Sequence, residues 1–569
     1  MNSRDISGCG ITLVSDFART LGKPTLRRHL VFVLGACVAV LLSGYHFGTF
    51  DQIVHISFLK KFADPHLYPN DPFMDLRQFH TSYFWFLFLP FYRLGILEPI
   101  LFCVHLAATY ITYWMFWNLC DTLFHHPLTN LIAILALTFP HIGFPGFQMI
   151  EFSLLNRTFV LPFLLLAMNL YLRKKKLLAF AILGILYNLH ALSVHFVLAM
   201  FLWDGVLRIR EKESRAATLA GVAIFLVGAL PVFLWLSDRA SIDFSLRPDL
   251  LHAVSSATML NIFYIIAPSP FILLDTLNGL GTLLCFTISR RRYPADMQQV
   301  LDHFVGAIGI ILLVEVITTY LLPVTVIIQS QIARVGVFLQ IFGYIYFSHL
   351  TAREIETARL PRWVLSLIAG IFITYFSALP ALLLWGVRRK LGSRRLIHGI
   401  LLAALLGLLS ATIVVGRQAG YWSPGLHIYG PVTSWEDAQR WAQQNTPVEA
   451  RFITPPHIYG MYTSDWRVFS ERSPVVTIPE LMEVIFAPQY LPDWLERLDA
   501  LAPGASAQFN GNSADTVKFV REAFYANSPG NFRKLAKDYQ AQYLVIEKPH
   551  IQPFKVVYEN EDYLIYDLR

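Results

Sequence analysis

Long apolar runs separated by short polar clusters fill the first 416 residues and set the architecture. The runs predict membrane helices at about Leu30–Gly44, Leu97–Trp117, Leu128–Phe139, Thr158–Leu172, Leu177–Tyr187, Phe196–Leu207, Ala216–Leu236, Phe271–Ile288, Gly306–Leu322 and Val335–His349. Crossing hydrocarbon takes about 20 helical residues. The shorter Ser82–Leu94, interrupted by Pro90 and Arg93, therefore reads as a partly inserted or interfacial helix. Arginine and lysine cluster between the runs at Arg27-Arg28, Arg173–Lys176, Arg208–Arg215, Arg290–Arg292 and Arg388–Arg395. That is the bias of cytoplasmic loops. It places the polar segments 45–82, 140–157 and 329–334, and a turn at Asn188–His195, on the outer side. Trp363–Val387 is long enough for one span, but arginine flanks both ends, which favours a tight hairpin kinked near Pro380 over a single crossing. A final span, Leu396–Val415, then delivers the C-terminal region to the outer face. The first run has no small-x-small cleavage site before Tyr45, so it reads as a retained membrane helix.

From about Arg417 the pattern changes. SWEDAQRWAQQN is an amphipathic helix with Ser434 as the expected N-cap, Glu436 and Asp437 in its first turn and Pro447 after its end. ARFITPP and AQYLVIEK read as strands, LPDWLERLDAL and NFRKLAKDYQ as helices, and FKVVYENEDYLIYDL as a hairpin turning at Glu559–Glu561. Helix and strand in alternation make a small α/β domain. The expected fold is thus a polytopic α-helical membrane domain, residues 1–416 with about 11–13 spans, followed by a soluble α/β domain, residues 417–569.

Composition agrees. Hydrophobic residues make up 55% and charged residues 15% of the chain, and 44 Phe with 25 Tyr suit lipid contact and interfacial belts. The net charge of +7 comes from the loop clusters and implies no nucleic acid partner. None of the five cysteines lies in the C-terminal region, and no pair has metal-ligand spacing.

Candidate chemistry sits in the outer segments. Between Thr49 and Ser57, Phe50, Ile53 and Val54 share one helical face, with Asp51, Gln52 and His55 on the other, as in a helix lying on a membrane surface. Asp51 and His55 are one turn apart. A carboxylate beside a low-dielectric boundary suits a general base, and Asp71, Asp75 and Glu151 share that layer. His190 and His195 mark a cavity or partner contact rather than lipid. Arg157 and Arg334 stand where positive charge is scarce, and with Gln329 and Gln331 nearby they are shaped to hold a phosphate. Lys60 and Lys61 read as contacts to lipid phosphates. Asn156-Arg157-Thr158 fits a glycosylation acceptor, but one too close to the bilayer for use.

A first membrane helix, an outer loop opening with an acid on a helix, DPHLYPNDPF, the half-inserted Ser82–Leu94 and a second outer loop ending in Asn156-Arg157 together resemble the GT-C class of membrane glycosyltransferases. That class includes protein O-mannosyltransferases, aminoarabinose transferases of lipid A and oligosaccharyltransferases. SWEDAQRWAQQNTPVEARFITPP and VFSERSPVV are similar to a recurrent extracytoplasmic domain of bacterial members. Gln52 stands where the mannosyltransferases pair Asp with Glu. The resemblance implies an enzyme of the bacterial inner membrane with its C-terminal domain outside. Its partners would be the bilayer, a polyprenyl-phosphate-linked sugar and an acceptor at the outer face, and a divalent cation stays open. Asp51 would be the base of a single inverting displacement, Arg157 and Arg334 the donor-phosphate ligands, and His55, His80, Glu151, His190 and Gln331 substrate contacts. Two other readings remain open here: a lipid or solute transporter, and a non-catalytic assembly or scaffold protein.

Overall fold

The computed structural model describes residues 26–138, 149–237, 243–257, 270–357 and 427–569, with 407 and 414. Six helices among them are long and apolar enough to cross a membrane: Leu26–Ser43, Leu97–Phe124, Lys176–Leu207, Lys212–Ser237, Gln298–Tyr320 and the run Thr325–Thr357. Pro127–Thr138 and Asn156–Leu172 are shorter apolar helices, and Pro270–Arg292 ends on three arginines. The fold is that of a polytopic helical membrane protein with a C-terminal α/β domain. The expected hairpin at 363–387, the span at 396–415 and the domain's first ten residues lie outside the described residues.

Helix Lys176–Leu207 is broken at His190, whose backbone is extended (φ −158°, ψ 86°). Its two arms fold back on each other: the rings of Phe180 and Phe201 meet at 5.6 Å, and Lys176 Nζ reaches Asp204 Oδ2 at 3.3 Å. The expected turn at 188–195 is this break. One arm packs on Lys212–Ser237 through glycines. A Cβ added at Gly184 would stand 2.7 Å from the Phe225 carbonyl oxygen and 3.1 Å from Gly228 Cα. Membrane helices gain contact by such backbone approach rather than by water exclusion. Gly184→Ala is therefore expected to cost about 1–3 kcal/mol. Gly309→Ala, with nothing within 4 Å among the described residues, is expected to be neutral. Thermal melts of the two variants in detergent check this; equal melting temperatures would refute it.

The polar segment after the first span folds differently from the expectation. Helix Gln52–Ala63 does not lie on a membrane surface with one face in water: Gln52, Ser57 and Lys60 are buried along with Ile53, Val54, Ile56, Phe58 and Leu59. The C-terminal domain covers it. Phe50, Leu59, Phe73 and Trp85 share one apolar core with Phe469, Ile485, Trp494 and Tyr566. Lys60, expected on lipid phosphate, instead donates to Glu471 and to the Val468 carbonyl, each at 2.7 Å. A buried ammonium needs a partner, and the domain supplies one. Lys61 turns back onto the carbonyls of Pro65 and Leu67.

Asp71, expected in an aqueous layer, is buried as well. It accepts from Arg467 Nε at 2.7 Å and Nη2 at 3.1 Å. Arg467 also donates to Glu480 at 2.8 Å, and Arg497 reaches the other Glu480 oxygen at 3.0 Å. Burial alone would raise the Glu480 carboxyl, but Arg497 and Arg467 outweigh it and hold it below its ordinary value of 4.5.

The C-terminal domain carries a five-stranded mixed sheet: β1 (Arg451–Ile453), β2 (Ser473–Pro474), β3 (Tyr543–Glu547), β4 (Lys555–Glu559) and β5 (Tyr563–Asp567), in the order β2-β1-β3-β5-β4. β1 pairs parallel to β2 and β3, while β5 runs antiparallel to β3 and β4. Helix Ser434–Asn445 is capped one residue before the expected Ser434: Thr433 accepts from the Glu436 amide at 3.1 Å. Helices Leu491–Leu501 and Pro529–Asp538 match the pattern, whereas Ser513–Tyr525 went unread.

Candidate active site

Two reversals of backbone bring the site together. Gly44 and Gly48 have positive φ, as does Phe50 at 54°, so the chain reverses between the first span and helix Gln52–Ala63. Gln52 locks that reversal: its side chain accepts from the Gly48 amide and donates to the Leu154 carbonyl, both at 2.8 Å. The clamp sets Asp51, at the mouth of the helix, against the segment carrying Glu151 and Arg157. Gln331, left-handed at φ 46°, turns the chain between Thr325–Ser330 and the short turn that holds Arg334.

Asp51, His55, His80, Arg157, His190, Gln331 and Arg334 all line one cavity of about 270 Å³ at the end of the bundle facing the C-terminal domain. Glu151 stands behind Arg157, accepting from its Nε at 2.6 Å, and Asp51 Oδ2 accepts from Nη1 of the same guanidinium. The Arg157 guanidinium also lies 5.4 Å from the centre of the Phe50 ring. Sequence spacing offered Arg157 as an isolated cation. The fold gives it two carboxylates, because a guanidinium buried at that depth needs counter-charge. Burial pushes the Glu151 carboxyl up, against the pull of Arg157.

The histidines form the opposite wall. His55 stacks on Trp85 at 4.9 Å and meets His80 at 4.5 Å between ring centres. Burial, then His80, Arg157 and His190, pushes His55 well below its ordinary range, so its imidazole is neutral at pH 7. His190 Nδ1 pairs with Ser193 Oγ at 2.8 Å, and His195 Nε2 with the Tyr187 hydroxyl at 2.9 Å. Asn156, offered by its motif to a glycan, is buried and donates to Ser82 Oγ at 3.0 Å. Among the described residues no three His, Cys, Asp or Glu side chains are grouped to hold a metal ion.

Several lining residues escaped the sequence reading. Met482, Glu483, Ile485 and Phe486 come from the C-terminal domain, and Glu483 Oε1 lies 3.5 Å from His80 Nδ1. A signal existed: Thr477 and Glu480 form a capping box ahead of the apolar run LMEVIF, in which Glu483 is the lone acid. Ser82 and Asn156 also line the cavity. Beside it, an open apolar groove of about 810 Å³ is lined by Phe62, Tyr83, Val227, Leu230, Pro231, Leu234 and Trp235. The two spaces are neighbours: Ser82 and Leu236 line the cavity, and the adjacent Tyr83 and Trp235 line the groove.

Residues 433–501 match a family described as a domain of unknown function, DUF6798. No curated protein matches the chain. Among solved structures, the chain is similar to ArnT from Cupriavidus metallidurans bound to undecaprenyl phosphate. The identity is 14% and the TM-score 0.45, over 95% of this chain and 98% of that one.

Proposed function

We propose that this chain is a membrane glycosyltransferase that moves a sugar from a polyprenyl-phosphate-linked donor to an acceptor at the outer face of the bacterial inner membrane. The observation that carries the reading is one juxtaposition: a carboxylate and two guanidiniums share a small cavity that adjoins an apolar groove. An amphiphilic phosphate fits such a place, with its isoprenoid chain along the Tyr83–Trp235 groove and its head group among the charges.

In the proposed step Asp51 Oδ1 takes the proton of an acceptor hydroxyl as that oxygen attacks the anomeric carbon. The bond from the anomeric carbon to the phosphate oxygen breaks, its electron pair stays on the lipid phosphate, and the configuration inverts. Arg334, with Arg157, meets the charge that develops on the leaving phosphate. Arg157 also aims the base, since its two carboxylate partners fix both the guanidinium and Asp51. The neutral His55 and the neighbouring His80 ring contact the sugar or the acceptor.

The test uses full-length protein in lipid nanodiscs with radiolabelled sugars on undecaprenyl phosphate and a membrane-lipid extract as acceptor. Labelled product is expected with at least one sugar, and Arg334→Ala is expected to lower its rate about 10²–10³-fold. No transfer with any of the donors, together with solute uptake into proteoliposomes, would replace this reading with a transporter.

A further inference from the structure

Four acceptor atoms of residues that line the cavity receive no hydrogen bond from the protein: Asp51 Oδ1, Asn156 Oδ1, Gln331 Oε1 and Glu483 Oε2. Two imidazole nitrogens, His55 Nδ1 and His80 Nε2, share that state. A buried polar atom without its bond costs about 1–3 kcal/mol, so these side chains favour an occupant that returns those bonds. To the four oxygens that occupant has to bring donors. A phosphate dianion brings none and suits the guanidinium end, whereas a sugar ring brings several hydroxyls.

Glu483 differs from the others in origin. It comes from the C-terminal domain, on the turn Leu481–Val484 that follows the Thr477–Glu480 capping box. Glu480 in turn is held by Arg467 and Arg497, so the carboxylate beyond it is presented from a fixed base. Only 4% of Glu483 is exposed, and one of its oxygens already faces His80. We propose that Glu483 is a specificity-determining residue that accepts hydrogen bonds from hydroxyls of the transferred sugar, and that presenting it is a task of the 433–501 domain. The inference rests on the glycosyltransferase reading above. The donor's sugar is meant rather than the acceptor: about 270 Å³ lies just under the roughly 300–1,000 Å³ of small-molecule sites, which is room for one sugar and its phosphate.

Binding separates the possibilities. Full-length protein in nanodiscs is titrated with undecaprenyl phosphate and with the same lipid carrying mannose, glucose, galactose or N-acetylglucosamine. Glu483→Gln is expected to bind the bare lipid within twofold of wild type and to weaken the tightest sugar-bearing lipid about tenfold. Glu483→Asp, which keeps a carboxylate, is expected to recover part of that loss. The proposal falls if every sugar-bearing lipid binds Glu483→Gln as tightly as wild type. It falls equally if bare and sugar-bearing lipids weaken together, which would make the residue a prop of the wall. Wild-type protein that ignores undecaprenyl phosphate altogether would overturn the glycosyltransferase reading itself, and this inference with it.

Discussion

Replacing Asp51 with asparagine is expected to lower the rate of sugar transfer about 10²–10⁴-fold, the range for loss of a positioned general base. The amide matches the carboxylate in shape, and its oxygen can still accept from Arg157. Arg157 keeps Glu151 as a partner at 2.6 Å, so the guanidinium is not left without counter-charge and the cavity keeps its form. Binding of undecaprenyl phosphate should stay within a few-fold of wild type while turnover collapses. That division of binding from rate marks a group whose contribution arises only in the transition state. An Asp51→Asn protein that transfers sugar at the wild-type rate would remove the centre of the mechanism.

The second large effect is on stability. Arg467 is fully buried and binds Asp71, Asp465 and Glu480. Arg467→Met would fill much of the space and strip Asp71, Asp465 and Glu480 of the guanidinium they share. Breaking a buried network by removing one partner costs about 3–5 kcal/mol, and the loss falls on the joint between the loop carrying Asp71 and the C-terminal domain. The pH dependence should differ between the two proteins. In the wild type, Glu480 has a folded pKa below 4.5. Its stabilisation is therefore present above about pH 4.5 and is lost as the pH falls through the depressed value. In Arg467→Met the stranded carboxylates bind protons more readily when folded than when unfolded, so acidification from pH 7 towards 5 narrows the gap to wild type. Melting temperatures across that range, with limited proteolysis of the joint, measure both effects. A difference below about 1 kcal/mol, or one that widens on acidification, would contradict the network's role.

Much of the fold could be read from the chain because its signals are local. Twenty-odd apolar residues with flanking arginines announce a membrane helix wherever they occur. The strands Tyr543–Glu547 and Tyr563–Asp567 alternate or run apolar within their own few residues. Boundaries were less legible: Thr433 rather than Ser434 caps its helix, because both hydroxyls offer the same bond and only backbone geometry chooses. Of the cavity, cations where the charge pattern made them scarce pointed to Arg157 and Arg334, and an acid opening a helix beside the membrane pointed to Asp51. What the sequence hid was pairing at a distance. Nothing near Lys60 announces Glu471, and nothing near Arg157 announces that two acids will enclose it. Gln52 looked like a departure from a two-acid motif; its amide proves to be the bridge between two segments 102 residues apart. Glu483 was hidden for the same reason, since its meaning lies in His80, which the chain reaches some four hundred residues earlier.

The Asp71–Arg467 pair spans 396 residues, and that separation bears on how the molecule is made. During translation the loop bearing Asp71 is delivered long before its guanidinium leaves the ribosome, so the acid waits hydrated while the helices insert. The wall contributed by Met482, Glu483, Ile485 and Phe486 is synthesised after the described membrane helices, and a nascent chain halted before residue 467 holds Asp51, Arg157 and Arg334 without it. Completion of the cavity is thereby coupled to residues 467–486: a stop before them should yield inserted protein whose cavity lacks that wall.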